Sequence, residues 1–185
     1  MALEIGRTGG GVPIAGWMVQ ANPTVSDVGS VLADPPEDDH WTWCGHPTYR
    51  LDLIEPGQPS FLWVTKSNDP ALPSGIWATG EVRDRCYVST GAGNVPWRDA
   101  GEQRERKPTI PMTMRTLLRP IHREDLLAHP ILRDLEVLRM PQSSNPQIVT
   151  PEQLDALRAD FDVTTGPLGA DESPRRSAGG SRTPS

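Results

Sequence analysis

At 185 residues the chain fits one domain with short tails, and its 20 prolines and 17 glycines, a fifth of the sequence, exclude a long-helix bundle or coiled coil. A formal charge of −6 excludes a general nucleic-acid coat, which would be basic overall, but leaves room for a local basic patch. Two cysteines give no disulfide framework, no apolar run reaches the ~20 residues a bilayer needs, and the opening has no signal-peptide pattern; a cytoplasmic protein with no membrane partner is expected.

Residues 1–13 are Gly-rich and non-periodic, and a flexible N-terminus is expected there. Gly16 to Gln20 reads as a strand. Thr24 and Asp27 have capping-box spacing, so a short helix is expected from Thr24, with Val25, Val28, Val31 and Leu32 on one face, ended by Asp34-Pro35-Pro36. His40 to Cys44 is a short strand, Tyr49 to Ile54 a helical turn, Ser60 to Thr65 a buried strand, and Gly75 to Val82 another that extends toward Val88. Gly91 to Pro108 reads as a long charged loop. Thr109 to Leu118 alternates apolar Ile110, Met112 and Met114 with polar residues, giving a strand with one wet face. A short helix is expected at His122 to Ala128, a last short strand at Glu136 to Arg139, and a capped helix after Thr150-Pro151-Glu152-Gln153. Residues 164–185 hold too little apolar surface to offset their ordering entropy, and a disordered tail is expected. The sum is an α+β domain over residues 14–163: a small twisted β-barrel of about six strands with three short flanking helices.

The six tryptophans (17, 41, 43, 63, 77 and 97) stand against two Phe and two Tyr, and all lie in the first 97 residues. Each serves either as a core pillar or as a flat stacking wall, and six in one small domain point to at least one wall. Trp41 and Trp43 are two apart on a strand and share a face, as neighbouring walls or as one wall and one pillar. From Arg98 to Arg123 the charge is locally +4, the reverse of the chain's balance. Arg104, Arg106 and Lys107 are the phosphate-contacting candidates in that stretch, against the alternative of a solvated loop.

No catalytic set emerges. His40, Cys44 and His46 lack the second ligand pair of a zinc site, Ser89 to Gly93 lacks the Lys-Ser/Thr of a phosphate-binding loop, and Glu124 and Asp125 fit a helix N-terminus. Neither a metal nor a cofactor is expected.

Gly16-Trp17-Met18-Val19-Gln20-Ala21-Asn22-Pro23 resembles the opening strand of the EVE domain, a member of the PUA-like superfamily. Phe61-Leu62-Trp63-Val64-Thr65 after Pro56-Gly57, and Gly75 to Val82, resemble its central strand pair; Leu118-Arg119-Pro120-Ile121 and Pro141 to Asn145 resemble its C-terminal third. The resemblance spans roughly residues 15–161 and implies a PUA-like twisted barrel that binds a nucleobase, modified by methylation, in DNA or RNA. By similarity to the aromatic cage of the related YTH domains, Trp43 is a cage wall with Cys44 beside the base edge. Asn22 then lies at the polar rim, Ser144 and Asn145 on the closing loop, and Trp97, ahead of Trp63, forms the second wall; Trp41 is the neighbour of Trp43. Two rivals stand beside this reading: a small amidohydrolase like the ASCH relatives, which needs a close Lys and Glu, and an interaction module whose tryptophans are all core.

Overall fold

Apolar residues on both faces of the same strands give this protein two cores divided by one sheet. The computed structural model describes residues 6–66, 68–90, 95–98, 101 and 105–166. In strand β3 (Gly16–Ala21), Trp17 and Val19 enter one core while Met18 enters the other. Strand β5 (Pro59–Val64) repeats the division, Leu62 and Val64 on the first side, Phe61 and Trp63 on the second. This is period two acting on a strand buried from both sides, which explains runs as apolar as Phe61-Leu62-Trp63-Val64. Helix α1 (Val28–Ala33) seals the first core with Val28, Val31 and Leu32. Helices α2 (Arg123–Ala128), α3 (Glu136–Arg139) and α4 (Pro151–Asp160) contribute Leu126, Val137, Leu154 and Leu157 to the second.

The sheet runs β4-β8-β6-β5-β3-β9, where β4 is His40–Cys44, β6 Gly75–Val82, β8 Arg106–His122 and β9 Gln147–Val149. β7 (Tyr87–Thr90) also pairs with β8. β3 and β5 run parallel, while the other pairs are antiparallel. β8 is the long member because it serves several partners: residues 112–122 pair with β6, 109–113 with β4 and 106–109 with β7. Gly80 permits the close β6–β8 approach, since a Cβ there would lie 1.8 Å from the Thr113 carbonyl oxygen.

The expected barrel does not close. Among the described residues the end strands β4 and β9 form no ladder; a single backbone bond, His46 N–H to the Asn145 carbonyl at 3.0 Å, crosses between the segments that adjoin them. The gap between these ends is a seam, and the candidate site lies along it.

Several local expectations change. α1 begins at Val28, not Thr24: Asn22 Oδ1 accepts from both Thr24 N–H (3.0 Å) and Thr24 Oγ1 (2.7 Å), so Thr24 sits in an Asx turn before the helix. Glu136 to Arg139 is helix α3, because Glu136 is held by Arg50 at 2.8 Å and accepts the Ile148 N–H at 2.9 Å. β6 ends at Val82 and β7 is a separate strand; β8 starts at Arg106, inside the segment expected to be loop. Residues 6–7 and 13–14 form the two-stranded ribbon β1 (Gly6–Arg7) and β2 (Pro13–Ile14), where a flexible segment was expected. The chain also stays paired to β8 through Gly166, whose N–H donates to the Thr116 carbonyl at 3.0 Å. The remainder of the expected tail lies outside the described residues. The Thr150–Gln153 capping box is present as expected, with Pro151 at the first helical position.

Candidate nucleic-acid interface

Two adjoining clefts open along the seam. The first, about 760 Å³, is lined by Trp43 and Cys44 of β4, by Asn22, by Trp97, and by Arg106 and Lys107 of β8. The second, about 1110 Å³, includes Trp63, Lys66, Arg123 and Ser144 in its walls. Gln20, Asn22, His46 and Asn145 line both and form the partition between them. The first volume falls in the ordinary range for a small-molecule pocket.

Each wall has a local cause. Trp41 and Trp43 do share a face of β4, paired with Met112 and Ile110 of β8, but their fates differ. Trp41 is fully buried in the first core and lines neither cleft, so it is a pillar and not a wall. Trp43 is 7 % exposed and offers the first cleft a narrow part of its ring; its Nε1–H donates to the Gln20 carbonyl at 3.2 Å, which fixes the ring plane. Trp97 is half-buried and is placed by the turn before α1. It pairs with Ser26, Asp27 N–H donates to the Pro96 carbonyl at 2.8 Å, and Arg98 N–H donates to the Val25 carbonyl at 2.8 Å. Residues 25–27, which follow the Asx turn and precede α1, therefore hold the second wall in place.

The polar residues divide less simply. Asn145 was expected on the closing loop. Its Oδ1 accepts the Gln20 N–H at 2.7 Å and its Nδ2 donates to the Gln20 carbonyl at 3.1 Å, so both ends of the amide are committed to the partition. Asn22 spends Oδ1 on Thr24, which leaves Nδ2 as the donor at the rim. Ser144 and Trp63 belong to the second cleft, and Trp63 is 3 % exposed within the second core, too buried to be a stacking face. Gln20 was overlooked from the sequence. Besides its bonds to Asn145 and Trp43, it donates from Nε2 to the Ser143 carbonyl at 3.1 Å. The available signal was one polar residue inside an otherwise buried strand.

The expected basic residues sit at the mouth of the first cleft. Lys107 Nζ lies 4.6 Å from the Trp97 ring centroid and 3.5 Å from Glu105 Oε2, and Arg106 is exposed beside it; Arg104 falls outside the described residues. The acidic run before β4 lies at that strand's opposite end, where Asp39 Oδ2 accepts from Arg115 Nε at 2.6 Å. Among the described residues no cluster of three His, Cys, Asp or Glu side chains is arranged to hold a metal ion. Likewise, no described helix is long and apolar enough to cross a membrane.

No family model matches the sequence, and no curated protein matches it significantly. Solved structures do. The human THYN1 protein, in complex with DNA containing 5-methylcytosine, aligns over 79 % of this chain and 98 % of its own with a TM-score of 0.53 at 17 % identity. The DUF55 domain of human thymocyte nuclear protein 1 aligns over 77 % and 95 % with a TM-score of 0.53 at 17 % identity.

The fold is that of an EVE domain.

A protein from Pseudomonas putida is similar in the same way, with a TM-score of 0.55 at 17 % identity over 78 % of this chain and 98 % of its own. At these identities the likeness speaks for the EVE architecture: a mixed sheet with helices on both sides, open at one seam.

Proposed function

We propose that this EVE-type domain is a non-catalytic reader that takes a methylated nucleobase from DNA or RNA into the first cleft, against Trp97 and Trp43. The observation that carries the reading is the convergence of two tryptophans, a rim amide and two basic side chains, from four separate stretches of sequence, on one cavity of about 760 Å³. The EVE fold of a DNA-bound neighbour supports it.

The physics of such a site is additive. Stacking on an aromatic face is worth roughly 1–3 kcal/mol per base and is indifferent to sequence. A methyl group buried against Val88 and Val95, which also line the cleft, adds about 0.8 kcal/mol, a factor of four. Stronger discrimination comes from edge contacts that a wrong base leaves unpaired, and Asn22 Nδ2 is placed for that. Arg106 and Lys107 contact backbone phosphates, a contribution that falls as salt rises.

The test is a fluorescence titration of short oligonucleotides, single-stranded and duplex, carrying 5-methylcytosine or plain cytosine at one position. Tighter binding of the methylated member supports the proposal. Equal binding of both, or none, overturns it.

One observation favours a second reading. Lys107 and Glu105, 3.5 Å apart at the cleft, are the kind of pair an ASCH-like amidohydrolase needs, and Lys107 lies on a strand, not in the loop first expected. Glu105 is 64 % exposed, which makes a solvent-screened surface pair the better account. Release of product from modified nucleosides incubated with the protein would establish the enzyme.

A further inference from the structure

Resting on the base-reading proposal, we infer that the first cleft selects by charge: it admits neutral methylated bases and rejects those that methylation makes cationic, with Lys107 as the determinant. Methylation at C5 of cytosine, or on an exocyclic nitrogen, leaves a base neutral. Methylation at N3 of cytosine, N1 of adenine or N7 of guanine fixes a positive charge on the ring at neutral pH.

Cationic ligands are often favoured by aromatic pockets, because the negative face of an indole attracts them. Here that attraction is already taken. The Lys107 ammonium lies 4.6 Å from the Trp97 ring centroid, at the wall with the larger open surface. A base taking the same face displaces the ammonium from over the ring to its own edge, and a base on the other face shares with it a ring whose quadrupole is already engaged. Either way a second cation is repelled.

The described surroundings do not cancel this. Among the described residues the charged side chains lining the cleft are Arg106, Lys107 and Glu105, a surplus of one positive charge. Glu105, the one acid among them, lies 3.5 Å from Lys107 and is 64 % exposed, so it is paired and screened by water. An ammonium also has donors and no acceptor. It therefore rewards a base that presents a carbonyl oxygen or a ring nitrogen lone pair, and N-methylation removes such a lone pair as it adds the charge. The same residue penalises the cationic ligand twice.

The test uses the full chain and two single-stranded oligonucleotides identical except for one base, 5-methylcytosine in the first and 3-methylcytosine in the second. Because the phosphates are identical, the ratio of dissociation constants isolates the base. The wild-type protein is expected to prefer the neutral base by about tenfold or more. Lys107→Gln should reduce that ratio several-fold and Lys107→Arg should keep it, each variant being checked by thermal melting. A chain of net charge −6 would by itself draw the more cationic strand, so the expected preference runs against the non-specific trend. Equal or tighter wild-type binding of 3-methylcytosine, or a ratio unchanged in Lys107→Gln, would overturn this inference alone. Failure of both strands to bind would instead overturn the base-reading proposal and this one with it.

Discussion

The side-chain amide of Asn145 satisfies both backbone groups of Gln20, accepting from its N–H at 2.7 Å and donating to its carbonyl at 3.1 Å. A side chain here does what a neighbouring strand would do, at the point where the sheet fails to close. The same Gln20 carbonyl accepts the Trp43 indole N–H, so one carbonyl holds both the partition and a wall of the first cleft. Asn145→Asp keeps the acceptor and loses the donor. It should cost about 1–3 kcal/mol of stability, the usual consequence of breaking such a bond in a part-buried site. Chemical denaturation of the variant and the wild type measures it directly.

The Arg50–Glu136 pair supports the same loop from behind. Arg50 donates to both Glu136 carboxylate oxygens, at 3.0 and 2.8 Å, and to the Pro146 carbonyl at 3.1 Å; Glu136 also takes the Ile148 N–H. Glu136→Ala leaves a half-buried guanidinium without its carboxylate, and a loss of about 3 kcal/mol or more is expected on thermal or denaturant unfolding. Restoring charge by Glu136→Asp should recover only part of it, since the shorter side chain cannot span both Arg50 and Ile148.

Arg106 and Lys107 stand at the mouth of the first cleft. Replacing both with Gln should weaken binding to strands of neutral bases alike, whatever their sequence, and reduce the slope of log K against log salt by about one per lost phosphate contact. Titrations at several salt concentrations read this out. An unchanged slope would place the backbone elsewhere on the surface.

Cys86 offers a prediction about pH. Burial, then the nearby Asp52 carboxylate, push its thiol up to about 11. Between pH 9 and 11 the unfolded chain releases this proton while the folded one keeps it, so the unfolded state binds fewer protons and stability falls as pH rises. Below pH 9 the contribution is fully present. Cys86→Ser should flatten that alkaline loss in melts taken across the window.

Much of the fold was legible because it is written locally. The apolar alternation of Trp17 to Ala21 and of Phe61 to Val64, and the Thr150-Pro151-Glu152-Gln153 box, each contain their own explanation. Glu136 to Arg139 was read as a strand because its helical state depends on Arg50, 86 positions away, which no local pattern reports. β9 has three residues and exists through pairing with β3, so a local pattern could not reveal it. Strand count could not say whether the sheet closes either; that is decided at His46 and Asn145. For the site, an aromatic after a proline in a loop, a poor core pillar, pointed to Trp97, while the family resemblance pointed to Trp43; both line the first cleft. Residue type did not reveal that the Asn145 amide caps Gln20, since an amide that can read a base edge can equally cap a strand.

The claim most open to direct contradiction is that Trp97 is the stacking wall. It is half-buried and belongs to neither core, in contrast with Trp77, which is 5 % exposed in the first core and donates from Nε1 to the Pro73 carbonyl at 2.9 Å. Trp77→Ala should therefore cost roughly 3–5 kcal/mol of stability. Trp97→Ala should melt close to the wild type while its affinity for a 5-methylcytosine oligonucleotide falls by roughly 1–3 kcal/mol, the worth of one lost stacking partner. The deciding measurement is that titration on folded Trp97→Ala protein. A fall in affinity within that range is the expected result, and wild-type affinity in a folded variant would contradict the account.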